Sequence, residues 1–317
     1  MVLNVKNSEM HVGGQAVIEG VMMRAPKWLA IAVRRPDGEI FIKEDRWLSL
    51  SEKWPFLRWP RVRGSLVVLE ALVNGVQALT FSANQALEED EESLGNWALF
   101  CTIVLGLGAG VLLFVVLPHI ISSFVGLLFG VQLGLEDFLF HLIDGVVKMI
   151  IFIGYIWFIS LFKDIRRVFE YHGAEHKSVY AYEAGEALTV ENAKRFSTLH
   201  PRCGTAFILV VLLMSILFFA VVFPFVPVLS GSTGFMKQVT AIFMKVLFIF
   251  PIAGLAYEII KFSSKNMERR LVRVAVLPGL WMQKLTTREP EDAQIEVALA
   301  ALRKAVEGQG RAVREVL

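Results

Sequence analysis

Four long apolar segments dominate the pattern of hydrophobic and polar positions along the chain. They cover residues 97–117, 138–162, 205–229 and 239–260, and each is long enough to cross about 30 Å of hydrocarbon as an α-helix. Residues 119–135 are also apolar, but the run is short and broken by serines and glycines, so we expect an interfacial or re-entrant segment there. The pattern predicts an α-helical integral membrane protein with about four transmembrane helices, paired in hairpins at 97–162 and 205–260.

The segments between and around these spans carry their own patterns. Within the N-terminal region 1–63, residues 28–33 and 39–43 alternate around a Pro-Asp-Gly turn, which predicts a β-hairpin, and residues 13–24 predict one or two further strands. Residues 64–96 predict an amphipathic helix, at the membrane interface or against the spans, followed by an acidic turn at 88–92. The tail, 261–317, predicts helices, one of them amphipathic from about 290 to 306. The expected fold therefore includes a small mixed α/β portion outside the membrane.

Composition and charge agree with a membrane protein and set its orientation. Of the 317 residues 55% are hydrophobic, and the mean hydropathy is +0.55, above the usual range of soluble chains. A net charge of +2 gives no indication of a nucleic-acid partner. Lys and Arg concentrate before residue 97, between 164 and 204, and after 260. By the positive-inside rule, both termini and the loop 163–204 are expected on the cytoplasmic side.

That loop contains the residues with the strongest chemical signal. His172 and His176 are four residues apart, so on a helix both imidazoles reach one side, and Glu175 lies directly before the second histidine. His200 and Cys203 follow at a spacing that is common among zinc ligands. Nitrogen and sulfur donors in a reducing cytosol favour zinc. We therefore predict a zinc site formed by His172, His176, His200 and Cys203.

The number of protein ligands separates two functions. Four ligands would make a closed structural site, in which Glu175 orients an imidazole and zinc holds together a domain that binds other membrane proteins. Three ligands would leave a position for water, and Glu175 would then serve as general base of a hydrolysis. Glu183 and Glu186 are weaker alternative ligands on the same segment. The sequence leaves both alternatives open.

Charged residues inside the spans form a second feature. His141, Asp144 and Lys148 share one face of the second span, and Lys245 of the fourth span is placed to approach Asp144. Such charges line a polar path in some proteins and fix helix packing in others. We favour the packing role here. A transporter ranks behind the other functions, because the sequence has no visible inverted repeat.

Four strings along the chain resemble the YqhQ family of bacterial multi-pass membrane proteins. They are GGQAVIEGVMMRAP at 13–26, YHGAEHKSVYAYE at 171–183, HPRCGTAF at 200–207 and PGLWMQKLTTREP at 278–290. The resemblance implies a bacterial cytoplasmic membrane protein and a metal-dependent enzyme, the latter on the same histidines. Glu19 and Arg24 lie in the first string and are further candidates to line a site.

Taken together, these observations predict a membrane-bound zinc-dependent hydrolase, with a peptide bond slightly preferred over a lipid headgroup as its target. Its site is expected at the cytoplasmic face, with Glu175 as the catalytic residue. The expected partners are membrane lipids and other membrane proteins. The alternative is a non-catalytic adaptor or regulator whose cytoplasmic domain is held by structural zinc.

Overall fold

A computed structural model gives the fold of residues 12–59, 62–87, 95–130, 133–135, 137–201, 203–226, 234–266 and 268–314. The predicted acidic turn at 88–92 lies outside these residues. The helices are α1 Leu50–Lys53, α2 Arg63–Gln85, α3 Asn96–Val111, α4 Leu117–Leu128, α5 Phe138–Ile159, α6 Lys163–Glu183, α7 Val190–Lys194, α8 Gly204–Val222, α9 Gly234–Lys265, α10 Arg270–Thr286 and α11 Asp292–Arg314.

The N-terminal region forms the predicted hairpins. Strands β1 Gly13–Val17, β2 Gly20–Arg24, β3 Trp28–Arg34 and β4 Ile40–Arg46 make one antiparallel sheet in the order β1-β2-β3-β4. The β3–β4 connection contains the Pro-Asp-Gly turn, and Gly38 adopts a φ of 89° that side-chain-bearing residues disfavour. β1 is an edge strand, and its position beside α6 places it next to the histidine motif.

Both faces of the sheet are covered by helices. Met23 and Ala32 face α6 and α11, where they share a core with Ile295 and Leu302. The alternate positions face α2, so that Ile31 packs in a second core with Ala78. The predicted amphipathic tail helix thus exists as α11, and it packs against the N-terminal sheet and α6.

Within the described residues, five helices are long and apolar enough to cross a membrane. They are Arg63–Gln85, Trp97–Leu128, Phe138–Ile159, Gly204–Phe225 and Gly234–Ser263. The last four correspond to the predicted spans, and the first is the helix expected at the interface. The predicted fold class is confirmed as far as it concerns apolar helices of membrane-crossing length and a small α/β portion.

The first span differs from its predicted length. Residues 119–128 continue the helix that starts at Asn96, so the separate segment expected from residue 119 onward is not formed. One π-helical turn, Leu112–Val116, precedes Pro118 and gives the chain room for a residue that lacks an amide hydrogen. Ser122 and Ser123 donate to the carbonyl oxygens four residues earlier, at 2.8 and 3.0 Å. Their polarity therefore does not break the helix.

The charged residues of the spans meet, as expected, in a buried cluster. Asp144 Oδ1 lies 2.8 Å from Lys245 Nζ, and Asp144 Oδ2 lies 3.3 Å from Lys148 Nζ. Lys245 Nζ is also 3.1 Å from His119 Nδ1, while His119 Nε2 is 2.6 Å from Gln238 Oε1. The cluster connects α4, α5 and α9, which agrees with a role in helix packing.

Helix α2 is joined to the C-terminal half of α9. Arg63 donates two hydrogen bonds to Glu258, at 2.6 and 2.5 Å. Gly64 and Gly254 allow the two backbones to touch, since a Cβ atom on Gly64 would collide with the Gly254 backbone. Besides this extensive contact with α9, α2 packs against β1 and β3 of the sheet.

Candidate metal centre

Helix α6 presents the two histidines of the motif on one face. His172 and His176 are one turn apart, and their ring centroids are 4.4 Å from each other. Gly173, between them, lets the segment after α10 pass directly over the helix, because a Cβ atom there would collide with the Arg288 carbonyl oxygen.

Backbone carbonyl oxygens fix which nitrogen of each ring is available. His172 Nδ1 is 2.8 Å from Thr286 O, and His176 Nδ1 is 2.5 Å from Thr198 O. Because a carbonyl oxygen only accepts, each Nδ1 carries the hydrogen and each Nε2 keeps its lone pair. This arrangement is the usual support of histidines that bind metal through Nε2.

Cys203 completes a group of three. It caps the N-terminus of α8, where its Sγ accepts from the Thr205 amide at 3.4 Å. The same Sγ lies 3.2 Å from His172 Nε2, and the donor atoms of His172, His176 and Cys203 all lie within 4.8 Å of one another. Zinc bonds of about 2.0–2.3 Å to nitrogen and sulfur bring ligand atoms to separations of this order. The three residues therefore fit a zinc ion.

His200, the fourth predicted ligand, lies beside this group with other contacts. Its backbone exchanges two hydrogen bonds with the Gln283 side chain, at 2.7 and 2.8 Å. Its Nε2 is 3.4 Å from Glu183 Oε2, and its ring centroid is 5.7 Å from that of His176. Burial lowers the pKa of His200. The structure thus brings together three of the four predicted ligands and places Glu183 with the fourth, while Glu186 is exposed.

Glu175 is buried against the same centre. Its Oε2 lies 3.9 Å from His172 Nε2 and 4.0 Å from His176 Nε2. Burial raises the pKa of Glu175, an effect that the nearby histidines and a hydrogen bond from the Gly14 amide oppose. Burial likewise lowers the pKa of His176. A carboxylate of raised basicity therefore faces the space between the two Nε2 atoms.

Comparison with known proteins gives the family but no activity. Residues 59–308 match the family described as "Protein of unknown function (DUF1385)". The chain belongs to this family. The protein named "Uncharacterized protein YqhQ" from Bacillus subtilis (strain 168) is 34% identical over 309 residues, which cover 90% of this chain and 89% of that protein. No solved structure matches. The resemblance to the YqhQ family is confirmed, and the metal-enzyme description remains a prediction.

Several residues that build the centre of this DUF1385 protein are not apparent as site residues from the sequence. Gln283 and Thr286 of α10 hold His200 and His172, and Gly14 of β1 contacts Glu175. All three lie in the strings that resemble the family, and this location is the sequence feature that could have identified them as site residues. Thr198 takes part only through its carbonyl oxygen, so its side chain gives no signal.

Of the two further candidates in the first string, Glu19 supports the centre indirectly. It occupies the β1–β2 turn with a φ of 51°, a strained value for a residue with a side chain. The Arg167 guanidinium binds both of its carboxylate oxygens, and the Tyr171 hydroxyl lies 3.3 Å from Oε2. These bonds fasten the hairpin to α6 and so keep Gly14 over Glu175. Arg24 lies on the opposite face of the sheet, beside α2.

We expect Gly14→Ala to impair function without removing the metal ligands. A Cβ atom at this position would lie 2.6 Å from Glu175 Cγ and 2.9 Å from Oε1, so the carboxylate must move. A displacement of about 1 Å at a catalytic group can reduce a rate about a hundredfold. Two measurements test this: the zinc content of the purified variant, and its ability to complement a strain that lacks the gene.

Gly13→Ala is the matched control, since no atom of the described residues lies within 4 Å of a Cβ atom on Gly13. Equal complementation by the two variants would show that the close approach of β1 to Glu175 has no functional importance.

Proposed function

We propose that this DUF1385 protein is a membrane-bound zinc-dependent hydrolase with its centre at the cytoplasmic face of a bacterial membrane. The observation that carries the proposal is the placement of Glu175, whose carboxylate lies 3.9 and 4.0 Å from the available nitrogens of His172 and His176. His172, His176 and Cys203 would hold the zinc ion. The test is whether Glu175→Gln abolishes function while zinc stays bound.

The grouping of the ligands supports a catalytic centre over a structural one. Structural zinc sites have four protein ligands, whereas catalytic sites have three and keep one position open. Three predicted ligands converge, and the Gln283 and Glu183 contacts of His200 account for the position of the fourth. A non-catalytic adaptor held by zinc would need His200 among the ligands.

The chemistry assigned to Glu175 is general-base catalysis. A bound zinc ion would supply Lewis acidity, which makes a water molecule more acidic and polarises a substrate carbonyl group. Glu175 would take the proton from that water and later return it to the leaving group. The Gly14 amide orients the carboxylate by donating to it.

We take the substrate to be a cytoplasmic segment of another membrane protein. The centre directly precedes α8, because Cys203 is the capping residue of that apolar helix. A site so placed lies close to chain segments that would emerge from the membrane, and a lipid headgroup is the alternative at the same level. The preference for a peptide bond rests on the analogy of the His-x-x-Glu-His order.

We further propose four membrane spans, with α2 at the cytoplasmic interface. The N-terminal sheet packs against both α6 and α11, so the chain crosses the membrane an even number of times between these elements. If α3–α4 and α5 cross, α2 does not. This agrees with its position, since Gly75 and Ala78 face the sheet while Leu72 and Val73 are about half exposed on the other side.

The topology predicts opposite labelling of two introduced cysteines in a Cys101→Ser background. We expect a membrane-impermeant maleimide to label Phe235→Cys, in the first turn of α9, in intact cells, and to label Glu296→Cys, on α11, only after permeabilisation. Both positions are exposed, so the reagent reaches them once it is on the correct side. Labelling of Glu296→Cys in intact cells would refute a cytoplasmic centre.

A further inference from the structure

A cavity of about 320 Å³ lies between α2 and the open end of the β1–β2 hairpin. We call it the α2 cavity. It is lined by Gly13, Met22 and Arg24 of the hairpin and by Val67, Ala71 and Asn74 of α2. Met22 and Arg24 face away from Glu175, and Gly14 borders both the cavity and Glu175, so the cavity is a neighbouring site that differs from the metal centre. Its volume is enough for the polar part of a small ligand or lipid.

Arg24 provides the charge in this cavity. Its guanidinium carbon lies 3.6 Å from the centroid of the Trp47 ring, and this stacking fixes the plane of the group. Among the described residues, no acceptor is hydrogen-bonded to the guanidinium. A planar guanidinium has five N–H donors, which suit a phosphate or carboxylate. The side chain is therefore oriented but has its donors available.

A second donor without a partner lies across the cavity. Asn74 Nδ2 is buried and has no hydrogen-bond partner among the described residues. A buried amide in this state is costly, and such groups often bond to a ligand. Arg24 and Asn74 thus supply donors from the sheet and from α2, and the rest of the lining supplies no competing charge.

One carboxylate limits the charge that the cavity accepts. Glu70 Oε1 accepts from Ser49 Oγ and the Leu50 amide, at 2.9 and 2.8 Å. The same carboxylate acts electrostatically on Arg24, whose pKa is lowered by burial and raised by Glu70. A ligand with one negative charge is therefore better suited than one with two.

The cavity lies at the level of lipid headgroups in the proposed topology. Tyr257, near the cytoplasmic end of α9, is close enough to act on Arg24. The Arg63–Glu258 pair lies at the same end of α9, and Trp59, just before α2, is 66% exposed. Arginine and tryptophan are typical of the interface between water and hydrocarbon. A lipid headgroup is thus the nearest source of a phosphate with a single charge.

We propose that the α2 cavity binds the phosphodiester group of an anionic phospholipid, with Arg24 and Asn74 as its hydrogen-bond donors. The phosphodiester carries one negative charge and has oxygens that accept from both side chains. The lipid would fasten α2 to the sheet at the membrane surface. This binding site does not depend on zinc or on hydrolysis.

Thermal unfolding of the purified full chain in detergent tests the proposal. We expect dioctanoyl phosphatidylglycerol to raise the Tm in a concentration-dependent manner, because a ligand that binds the folded state stabilises it. Dioctanoylglycerol, which lacks the phosphate, should have no such effect. Inorganic phosphate, which carries more than one charge near neutral pH, should be much weaker than the lipid. Stabilisation by inorganic phosphate as strong as by the lipid would overturn the lipid assignment.

Two variants connect the effect to the cavity. Arg24→Gln should weaken the apparent affinity for phosphatidylglycerol about tenfold to a hundredfold, since a charge-assisted hydrogen bond is lost. Asn74→Leu should also weaken it, but should leave the Tm without lipid unchanged or higher, because it removes a buried donor that has no partner among the residues that the structure describes. A purely structural Asn74 would instead give a lower Tm without lipid.

Arg58→Gln is the matched control on the same side of the protein. Arg58 is exposed and its Nε donates to Ser51 O at 2.9 Å, away from the cavity. If Arg58→Gln and Arg24→Gln lose the lipid-induced increase in Tm equally, the increase arises from general surface charge, and the proposed binding site is wrong. Unchanged lipid stabilisation in both Arg24→Gln and Asn74→Leu would overturn it as well.

Discussion

Glu175→Gln is expected to abolish the function of this protein in cells while zinc content and folding remain unchanged. Glutamine has nearly the same shape as glutamate, and its amide oxygen still accepts from the Gly14 amide. It cannot take a proton from water, and loss of a general base reduces rates about 10²–10⁴-fold. Burial disfavours the charged form of Glu175, so a neutral amide should not lower the stability.

The measurement combines complementation of a strain that lacks the gene with the zinc content and Tm of the purified variant. Glu170→Gln is the matched control, because Glu170 lies on the same helix and its carboxylate bonds to Gln294 at 3.0 Å. Full complementation by Glu175→Gln would exclude the hydrolase. Loss of zinc together with a lower Tm would favour the adaptor, since Glu175 would then support a structural site.

The inactive variant also serves to identify the substrate. A hydrolase that binds but does not cleave accumulates its substrate, so membranes of cells that express Glu175→Gln should contain an uncleaved species absent from wild-type membranes. Mass spectrometry of proteins and lipids from the same membranes distinguishes a peptide from a headgroup. An unchanged profile in both fractions would count against cleavage of either class.

The second large effect concerns the number of ligands. We expect His172→Ala, His176→Ala and Cys203→Ser each to weaken zinc binding by more than about a hundredfold, since changes to residues that merely support a ligand already cost about 10–100-fold. His200→Ala should stay within about tenfold of the wild type, because His200 is outside the group of three. Zinc retained by purified protein against a competing chelator gives the affinities.

The Cys203→Ser variant separates two roles of the cysteine, as a zinc ligand and as a helix cap. Cys203 caps α8, and a serine oxygen is a good cap but a poor zinc ligand in this setting. A variant that loses zinc but keeps its Tm in the absence of metal has therefore lost a ligand and not a helix cap. If His200→Ala loses as much zinc as His176→Ala, the site has four protein ligands and the adaptor is the better hypothesis.

Local patterns predicted much of the fold because they arise from neighbouring residues. Alternation over 28–33 and 39–43 predicted the β3–β4 hairpin, and long apolar runs predicted the apolar helices of membrane-crossing length. The end of the first span was wrong, since a π-helical turn before Pro118 and bonds from two serines keep the helix intact. These are details of backbone geometry that residue types alone do not specify.

The candidate centre was predictable where its residues are close in sequence or chemically distinctive. His172 and His176 share a helix face by spacing, and Cys203 belongs to a residue type that commonly binds metal. The position of His200 depends on Gln283, and the position of Glu175 depends on Gly14. Contacts between residues so far apart in the chain follow from the tertiary fold, so a single sequence does not reveal them.

The support of His172 by Thr286 has a consequence for biosynthesis. Gly14 and Thr286 lie near opposite ends of the chain, yet both contact the centre on α6. A nascent chain that has not yet released α10 from the ribosome therefore cannot hold the His172 ring in place. If the centre holds zinc as proposed, loading would be coupled to completed synthesis of α10, and partly made chains would have no competent site.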